Sequence, residues 1–300
     1  MPSARQTVSY LTRRFQEAGI RPEVRHGQNF LIDLNLLDVL LETAAPNAND
    51  VILEVGTGMG SLTSMLADHA AHVVTVEIDA RLHQMAAEEL EPQANITMLL
   101  QDALRNKNNI ADSVLDEVRK HVNAVPGRQF KLVANLPYNI ATPILSNLLT
   151  VDPLPVSLTA TIQKELADRM IAPPGVKDYS ALSVWMQSLC DLQIARILPP
   201  QVFWPRPRVQ SAIIHIVPDP AKRAAIPDLE FFHTFVRGLF LHRRKFLRSG
   251  LVASMQEHLD KPGVDEVLAP FEYPTDVRAE QLSLEQIQKL SEAFRLRLAV

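Results

Sequence analysis

Asn135-Leu136-Pro137-Tyr138 combines residue types suited to gripping an amino group attached to a flat aromatic ring. The Asn135 side-chain oxygen and the Leu136 carbonyl can each accept one hydrogen of an exocyclic amine. Pro137 fixes its own φ and biases Leu136 toward extended backbone, which holds that carbonyl in place. Tyr138 offers a π-face for stacking, worth about 1–3 kcal/mol per base in nucleic-acid sites. The same residues also suit a plainer role, a strand-ending turn in which Asn135 caps the next helix and Tyr138 joins the core. Other stretches must decide between the two.

A glycine-rich turn, Gly56-Thr57-Gly58-Met59-Gly60, follows the apolar run Val51 to Val55 and precedes a helix-compatible segment. Such a turn lets backbone approach a ligand seated on the helix N-terminus. Its spacing is G-x-G-x-G with Glu54 two residues upstream, not the dinucleotide pattern G-x-G-x-x-G. Glu77 ends the next strand, where a carboxylate can accept both hydroxyls of a ribose. Asp102, at a third strand end, can accept from an adenine amine, with Ile78 and Ala103 as apolar neighbours of the ring. Singly, Asp102 suits a helix cap, and Glu54 and Glu77 suit solvated strand ends. Their occurrence at successive strand ends implies an adenosine-containing cofactor.

These residues need a scaffold that brings strand ends together. Short apolar strands are expected at Val51 to Val55, Val73 to Ile78, Ile96 to Leu99 and Phe130 to Ala134, separated by helix-length segments at Leu62 to His69, Ala80 to Leu90 and Ile110 to Val122. Asp33 can cap an earlier helix that ends near Pro46. Another helix follows the tetrad over Ala141 to Leu149. This alternation predicts an α/β fold with a parallel sheet covered on both faces. Strands at Val156 to Ile162, Leu192 to Leu198 and Ser211 to Val217 make seven, with helices near Lys164 to Ile171 and Ser180 to Leu189. The last two strands are joined without a helix and should pair antiparallel at one edge. Beyond Pro218-Asp219-Pro220 only helices are predicted, near Leu229 to Leu241, Lys245 to His258, Gly263 to Leu268 and Ser283 to Leu298. The expected division is therefore a domain of residues 1–218 and a small all-α domain of residues 219–300.

Composition narrows the classes. The 300 residues are 47% hydrophobic and 21% charged, with a net charge of −4, so any nucleic-acid surface must be local. Cys190 is the sole cysteine; it excludes an intramolecular disulfide and a cysteine-based zinc site, and its apolar neighbourhood makes it a core residue in a reducing compartment. The nine histidines show no paired ligand spacing, so no catalytic metal is expected. No apolar run reaches the ~18 to 20 residues of a membrane span. The first twenty residues carry Arg5, Arg13 and Arg14 without the apolar core of a secretory signal, and read as an amphipathic surface helix.

Taken with the glycine turn, Glu77 and Asp102, the tetrad resembles the S-adenosylmethionine-dependent methyltransferases that act on exocyclic amines. Gly27-Gln28-Asn29-Phe30-Leu31, Asn135-Leu136-Pro137-Tyr138-Asn139-Ile140, Gln163-Lys164-Glu165, Phe203-Trp204-Pro205-Arg206-Pro207-Arg208-Val209 and Arg243-Arg244-Lys245 occur in the order of ribosomal RNA adenine dimethyltransferases. The tail through Arg278-Ala279-Glu280-Gln281-Leu282-Ser283 is similar to the branch acting on small-subunit RNA, rather than to the antibiotic-resistance branch acting on large-subunit RNA. The resemblance implies a Rossmann-like class I methyltransferase fold and S-adenosylmethionine as cofactor. It places Gln28, Asn29 and Leu31 near the methionine moiety, Gly56 and Gly58 in the loop, Glu77 at the ribose, Asp102 at the adenine and Asn135 by the reacting methyl. Phe203 would cover the target base opposite Tyr138, although the adjacent Trp204 is a second aromatic for that purpose. Thr57 stands where many relatives have proline.

The implied product is N6,N6-dimethyladenosine at adjacent adenosines near the 3′ end of small-subunit (16S) RNA. Accepting both amine hydrogens would free the nitrogen lone pair, and the methylated ammonium is acidic enough to need no strong general base. Between Phe203 and Gly250 there are nine Lys or Arg against three acids, which points to a phosphate-binding patch that includes Arg206, Arg208, Arg243, Arg244, Lys245 and Arg248. The expected partners are small-subunit ribosomal RNA and the immature small subunit, met by a cytoplasmic monomer with no membrane contact. The alternatives are the large-subunit enzyme, a non-catalytic ribosome-assembly factor on the same fold, and a nicotinamide-dependent dehydrogenase, which would have no use for the tetrad.

Overall fold

The computed structural model describes residues 8–17, 19, 29–91 and 93–299. The central sheet has seven strands: β1 (Asp50–Val55), β2 (His72–Glu77), β3 (Ile96–Leu100), β4 (Gln129–Asn135), β5 (Ser157–Gln163), β6 (Cys190–Leu198) and β7 (Ser211–Pro218). Their spatial order is 3-2-1-4-5-7-6. β1 runs parallel to β2 and β4, β2 to β3, and β4 to β5. β7 is antiparallel to β5, with Ser211 opposite Gln163, and β6 lies beside β7 at the edge.

Because β1 is flanked on both sides and covered on both faces, all six of its residues are buried, including Val51, Ile52 and Leu53 at 0% exposure. The apolar Val51-Ile52-Leu53 and Val55 are the sequence form of that position. The carboxyl ends of β1, β2, β3 and β4 share one edge of the sheet. Ligands bind there in open α/β folds.

Helices α1 (Val8–Glu17), α2 (Leu34–Ala44), α3 (Ser61–Ala67), α4 (Ala80–Leu90), α5 (Asp112–Asn123) and α6 (Ala141–Asn147) accompany the strands. Asp33 caps α2 by accepting from the Asn35 N–H, and Asp79 caps α4 by accepting from Arg81 and Leu82. One face of α1 is buried: Leu11 and Phe15 pack with Met59, Leu82 and Met85. A two-residue antiparallel pairing sets Phe30 opposite Trp204 and Leu31 opposite Phe203. It is too short to leave a periodic signal in the sequence.

The chain separates into two compact units. The first reaches Ala167 and takes up again at Gln193–Pro218; the second contains Asp168–Leu192 and everything from Asp219. Pro218 is thus one border, but residues 168–192, which precede it, group with the second unit. That unit holds the second half of α7 (Lys164–Ile171), with α8 (Ala181–Leu189), α9 (Pro220–Ala224), α10 (Leu229–Leu241), α11 (Leu247–Ser254), α12 (Lys261–Leu268) and α13 (Leu284–Leu298). Its core joins Phe232, Phe235 and Leu239 of α10 to Ile287, Leu290 and Phe294 of α13, and the Phe235 and Phe294 rings lie 5.5 Å apart. Among the described residues, no helix is long and apolar enough to cross a membrane.

Candidate functional site

At the end of β1 the chain turns through Gly56, whose φ of 90° is open to glycine but strained for other residues. The Gly56 N–H donates to the Val76 carbonyl at 2.8 Å. A Cβ on Gly56 would meet Pro137 Cδ at 3.3 Å. The glycine turn and the Asn135 tetrad therefore lie too close for even a methyl group to fit easily between them, and Gly56, Gly58, Asn135 and Pro137 line one cleft.

Glu77 is 6% exposed, yet it lines this cleft. Its Oε2 accepts from the Gly58 N–H and its Oε1 from those of Ile78 and Asp79, each at 3.0 Å. Burial raises the carboxyl pKa above its ordinary value, and the three backbone donors oppose that rise. The contacts tie the carboxylate to the glycine turn. Asp102 spends one oxygen on the Leu104 N–H at 2.9 Å in a local turn, not on a helix cap. Ala103 is buried beside it, and Ile78 is 52% exposed, which leaves apolar surface for a flat ring.

Asn135 ends β4, opposite Thr161 of β5. Its Nδ2 donates to the Asn29 carbonyl at 2.8 Å. That bond fixes the side-chain amide and leaves Oδ1 without a partner among the described residues. The Leu136 N–H is taken up by the Thr161 carbonyl at 3.1 Å, while the Leu136 carbonyl likewise has no partner among the described residues. These are two adjacent unspent acceptors on a fixed backbone; Asn135 lines the cleft, whereas Leu136, 2% exposed, and Tyr138 are not among its lining residues. Tyr138 is half-buried, its hydroxyl 2.5 Å from Ser211 Oγ on β7.

Beneath the turn lies a polar network absent from the sequence reading. Glu54, 1% exposed, accepts on Oε2 from Thr63 at 2.5 Å and Thr75 at 2.7 Å. Since the Thr75 hydroxyl donates to Glu54, Thr57 must donate to Thr75 across their 2.7 Å contact. Burial pushes the Glu54 carboxyl up to about 8, against the pull of the two hydroxyl donors and with a smaller push from the Glu77 charge. The Thr57 hydroxyl thus serves as an anchor for the loop.

Of the predicted cofactor residues, the cleft gathers Asn29, Gly56, Gly58, Glu77, Ile78, Asp102, Ala103 and Asn135, with Pro137 of the tetrad. Leu31 does not line it; its side chain is 8% exposed in the cluster with Leu37, Leu40 and Leu198. Gln28 lies outside the described residues. Phe203 needs correction: at 2% exposure it packs among Leu37, Leu40, Ile213 and Leu31, so neither ring face is open to a base. The register of the short pairing turns Phe203 inward. Its neighbour Trp204 is only partly buried and packs with Phe15 at 5.3 Å. Sequence reasoning also missed Phe30, whose ring lies 5.4 Å from Phe15 and which lines the cleft together with Gln101, Asn139 and Ile140. Gln101 precedes Asp102 and the other two extend the tetrad, so their signal was available; Phe30 depends on a pairing with no local signature.

The basic residues divide. Arg206 and Arg208 are exposed, as are Arg244 and Lys245, and these four have no partner among the described residues. Arg243 instead donates to the Lys177 and Tyr179 carbonyls, both at 3.1 Å, and faces Glu280 at 3.9 Å. It stitches the second unit together. Arg248 is held by both oxygens of Asp265, at 2.5 and 2.7 Å.

The family model described as "Ribosomal RNA adenine dimethylase" matches residues 21–286. The chain belongs to that family. One relative, the "Ribosomal RNA small subunit methyltransferase A" of Lactococcus lactis subsp. lactis, is 37% identical over 271 residues, covering 90% of this chain and 89% of its own. The "Probable ribosomal RNA small subunit methyltransferase A" of Methanopyrus kandleri is 34% identical over 293 residues, 96% of this chain and 98% of its own. Among solved structures, a dimethyladenosine transferase from Plasmodium falciparum superposes with a TM-score of 0.70 at 22% identity, covering 88% of this chain and 97% of that one; it shows the shared fold. The 23S rRNA methyltransferase ErmE gives 0.59 at 26% identity over 90% and 100% of the two chains.

Proposed function

We infer that this dimethylase transfers methyl groups from S-adenosylmethionine to the N6 amine of two adjacent adenosines in a loop near the 3′ end of small-subunit ribosomal RNA. One observation carries the reading: two unspent acceptors, Asn135 Oδ1 and the Leu136 carbonyl, follow β4 on a clamped backbone, and Asn135 shares its cleft with a glycine turn backed by Glu77 and Asp102. The small-subunit assignment is favoured by relatives of that name at 34–37% identity, against 26% for the large-subunit enzyme. The reading extends to the immature small subunit as substrate particle, and to a monomer acting in the cytoplasm.

The cleft suits the cofactor in its own details. Gly56 and Gly58 leave space that a Cβ would fill, Glu77 presents fixed carboxylate oxygens at a strand end, and Asp102 sits beside apolar Ala103 and Ile78. S-adenosylmethionine, when bound, supplies a methyl group already activated by the sulfonium. The protein's part is then to position and polarise. Asn135 Oδ1 and the Leu136 carbonyl each accept one amine hydrogen, drawing the nitrogen toward a tetrahedral shape so that its lone pair leaves the ring system. Tyr138, anchored by Ser211, supports the base from one side. The target base must leave its stack, which costs least in a single-stranded loop. Arg206 and Arg208 lie a few residues before Ser211 and hold phosphates next to the bound base.

The test is mass-spectrometric mapping of nucleosides after incubation of the protein and cofactor with undermethylated small-subunit particles. N6,N6-dimethyladenosine at two neighbouring positions is the expected product. Particles that bind the protein but gain no methyl groups would leave a non-catalytic assembly role in its place.

A further inference from the structure

Every Phe, Tyr and Trp of the chain falls within the described residues, and Phe246 alone among them is exposed, at 48%. Its backbone is not loose. Phe246 bridges Arg278, the following Leu247 N–H donates to the Val277 carbonyl at 2.7 Å, and the Phe246 carbonyl accepts from Gly250 at 2.9 Å as α11 begins. The Arg278 guanidinium lies over the ring, 5.9 Å from its centroid. An aromatic ring left in water on a clamped backbone, with a cation over it, is a preorganised stacking surface.

The neighbouring residues give that surface a sign. Arg244 and Lys245 precede the ring and are exposed without partners among the described residues. Asp265 is neutralised by Arg248 and Glu280 faces Arg243, which leaves exposed Glu272 and Asp276 as the acids of the segment before Arg278 without an ion pair among the described residues. Leu241, 80% exposed, adds apolar surface at the end of α10. Proteins that hold single-stranded nucleic acid combine this pair of features, a cationic track and a ring on which any base can stack.

We propose that Phe246 is a stacking platform for an unpaired base of the RNA substrate, with Arg244 and Lys245 holding the flanking phosphates. The proposal rests on the reading of the chain as an RNA methyltransferase and adds a second contact point for the RNA outside the cleft. A base laid on the ring contributes affinity that does not depend on counterion release, whereas the two cations contribute affinity that does.

The experiment uses the full chain, a fluorescein-labelled RNA hairpin with an unpaired purine loop, and a blunt duplex of equal length, with anisotropy read across a salt series. Phe246→Ala should weaken hairpin binding about five- to a hundredfold, change duplex binding less than about twofold and leave the slope of log Kd against log salt unaltered. Phe246→Trp should restore hairpin affinity. Replacing both Arg244 and Lys245 by Ala should weaken both RNAs and lower that slope by roughly 1–2. Unchanged hairpin affinity in Phe246→Ala overturns the platform. So does weaker association with whole small-subunit particles at unchanged hairpin affinity, which would assign the ring to a protein partner. Wild-type methyl transfer is measured in parallel: its absence counts against the functional reading itself, separately from the ring.

Discussion

At the scale of single residues, the reaction depends on which polar atoms remain unspent. Asn135 uses its Nδ2 on the Asn29 carbonyl, so only Oδ1 is left for substrate. Asn135→Ala therefore removes the acceptor proposed to face the reacting nitrogen and a tether at once. Transfer should fall by about 10²-fold or more, by analogy with removal of a preorganised polar group from a transition state, while RNA affinity measured by filter binding stays within about twofold. A variant that methylates at the normal rate would show that the amine is gripped elsewhere. Tyr138 separates two contributions. Tyr138→Phe loses only the bond to Ser211, worth about 1 kcal/mol, and should lower kcat/KM roughly fivefold. Tyr138→Ala also loses the ring and should cost at least tenfold more. Equal losses in the two variants would mean that the hydroxyl, not the π-face, is what matters.

At the scale of elements, the glycine turn and the short Phe30 pairing act together. Gly58 has φ +57°, and a Cβ there would sit 3.2 Å from Phe30 Cε1, so Gly58→Ala combines backbone strain with displacement of a cleft wall. Binding of S-adenosylmethionine, measured by calorimetry, should weaken by about tenfold, more than left-handed strain of about 1–2 kcal/mol can do without touching the site. Gly175→Ala supplies the control: its φ is +84° with nothing within 4 Å, so it should carry the strain and leave cofactor affinity unchanged. The elements that could be read from sequence are those with a one-dimensional signal. β1 announces itself through Val51, Ile52, Leu53 and Val55, apolar on both sides of the strand because it is covered on both faces, and Glu77 and Asp102 are legible because strand ends are. The strand order is not legible, since parallel neighbours are chosen by tertiary packing. Nor is the inward turn of Phe203, which one residue of register decides, or the structural employment of Arg243, which depends on carbonyls 64 and 66 residues away in sequence.

At the scale of the whole molecule, charge and protonation set how the protein answers to solution conditions. The chain carries −4 overall, so RNA binding must come from a few unpaired cations. Replacing Arg206 and Arg208 by Ala should reduce the salt slope of binding by roughly 1–2 with an unchanged melting temperature. Arg243→Ala should lower the melting temperature by several degrees instead, because the Lys177 and Tyr179 carbonyls lose a shared donor; a melt identical to wild type would return Arg243 to the phosphate-binding set. Glu54 governs the response to pH. Its carboxyl is pushed from 4.5 to about 8 in the native state, while in the unfolded chain it ionises near its ordinary value. Between those two values the folded protein holds a proton that the unfolded chain has released, so this group's contribution is full below about 4.5 and is lost as pH rises toward 8. Glu54→Gln keeps an acceptor for Thr63 and Thr75 and cannot ionise. The remaining carboxylates are common to both proteins, so the difference between their thermal melts isolates this one group. The variant should gain on the wild type by about 5 °C or more between pH 5 and pH 8. A difference that stays constant over that range would mean that Glu54 is already ionised beneath the glycine turn, and that its two threonines hold a carboxylate instead of a neutral acid.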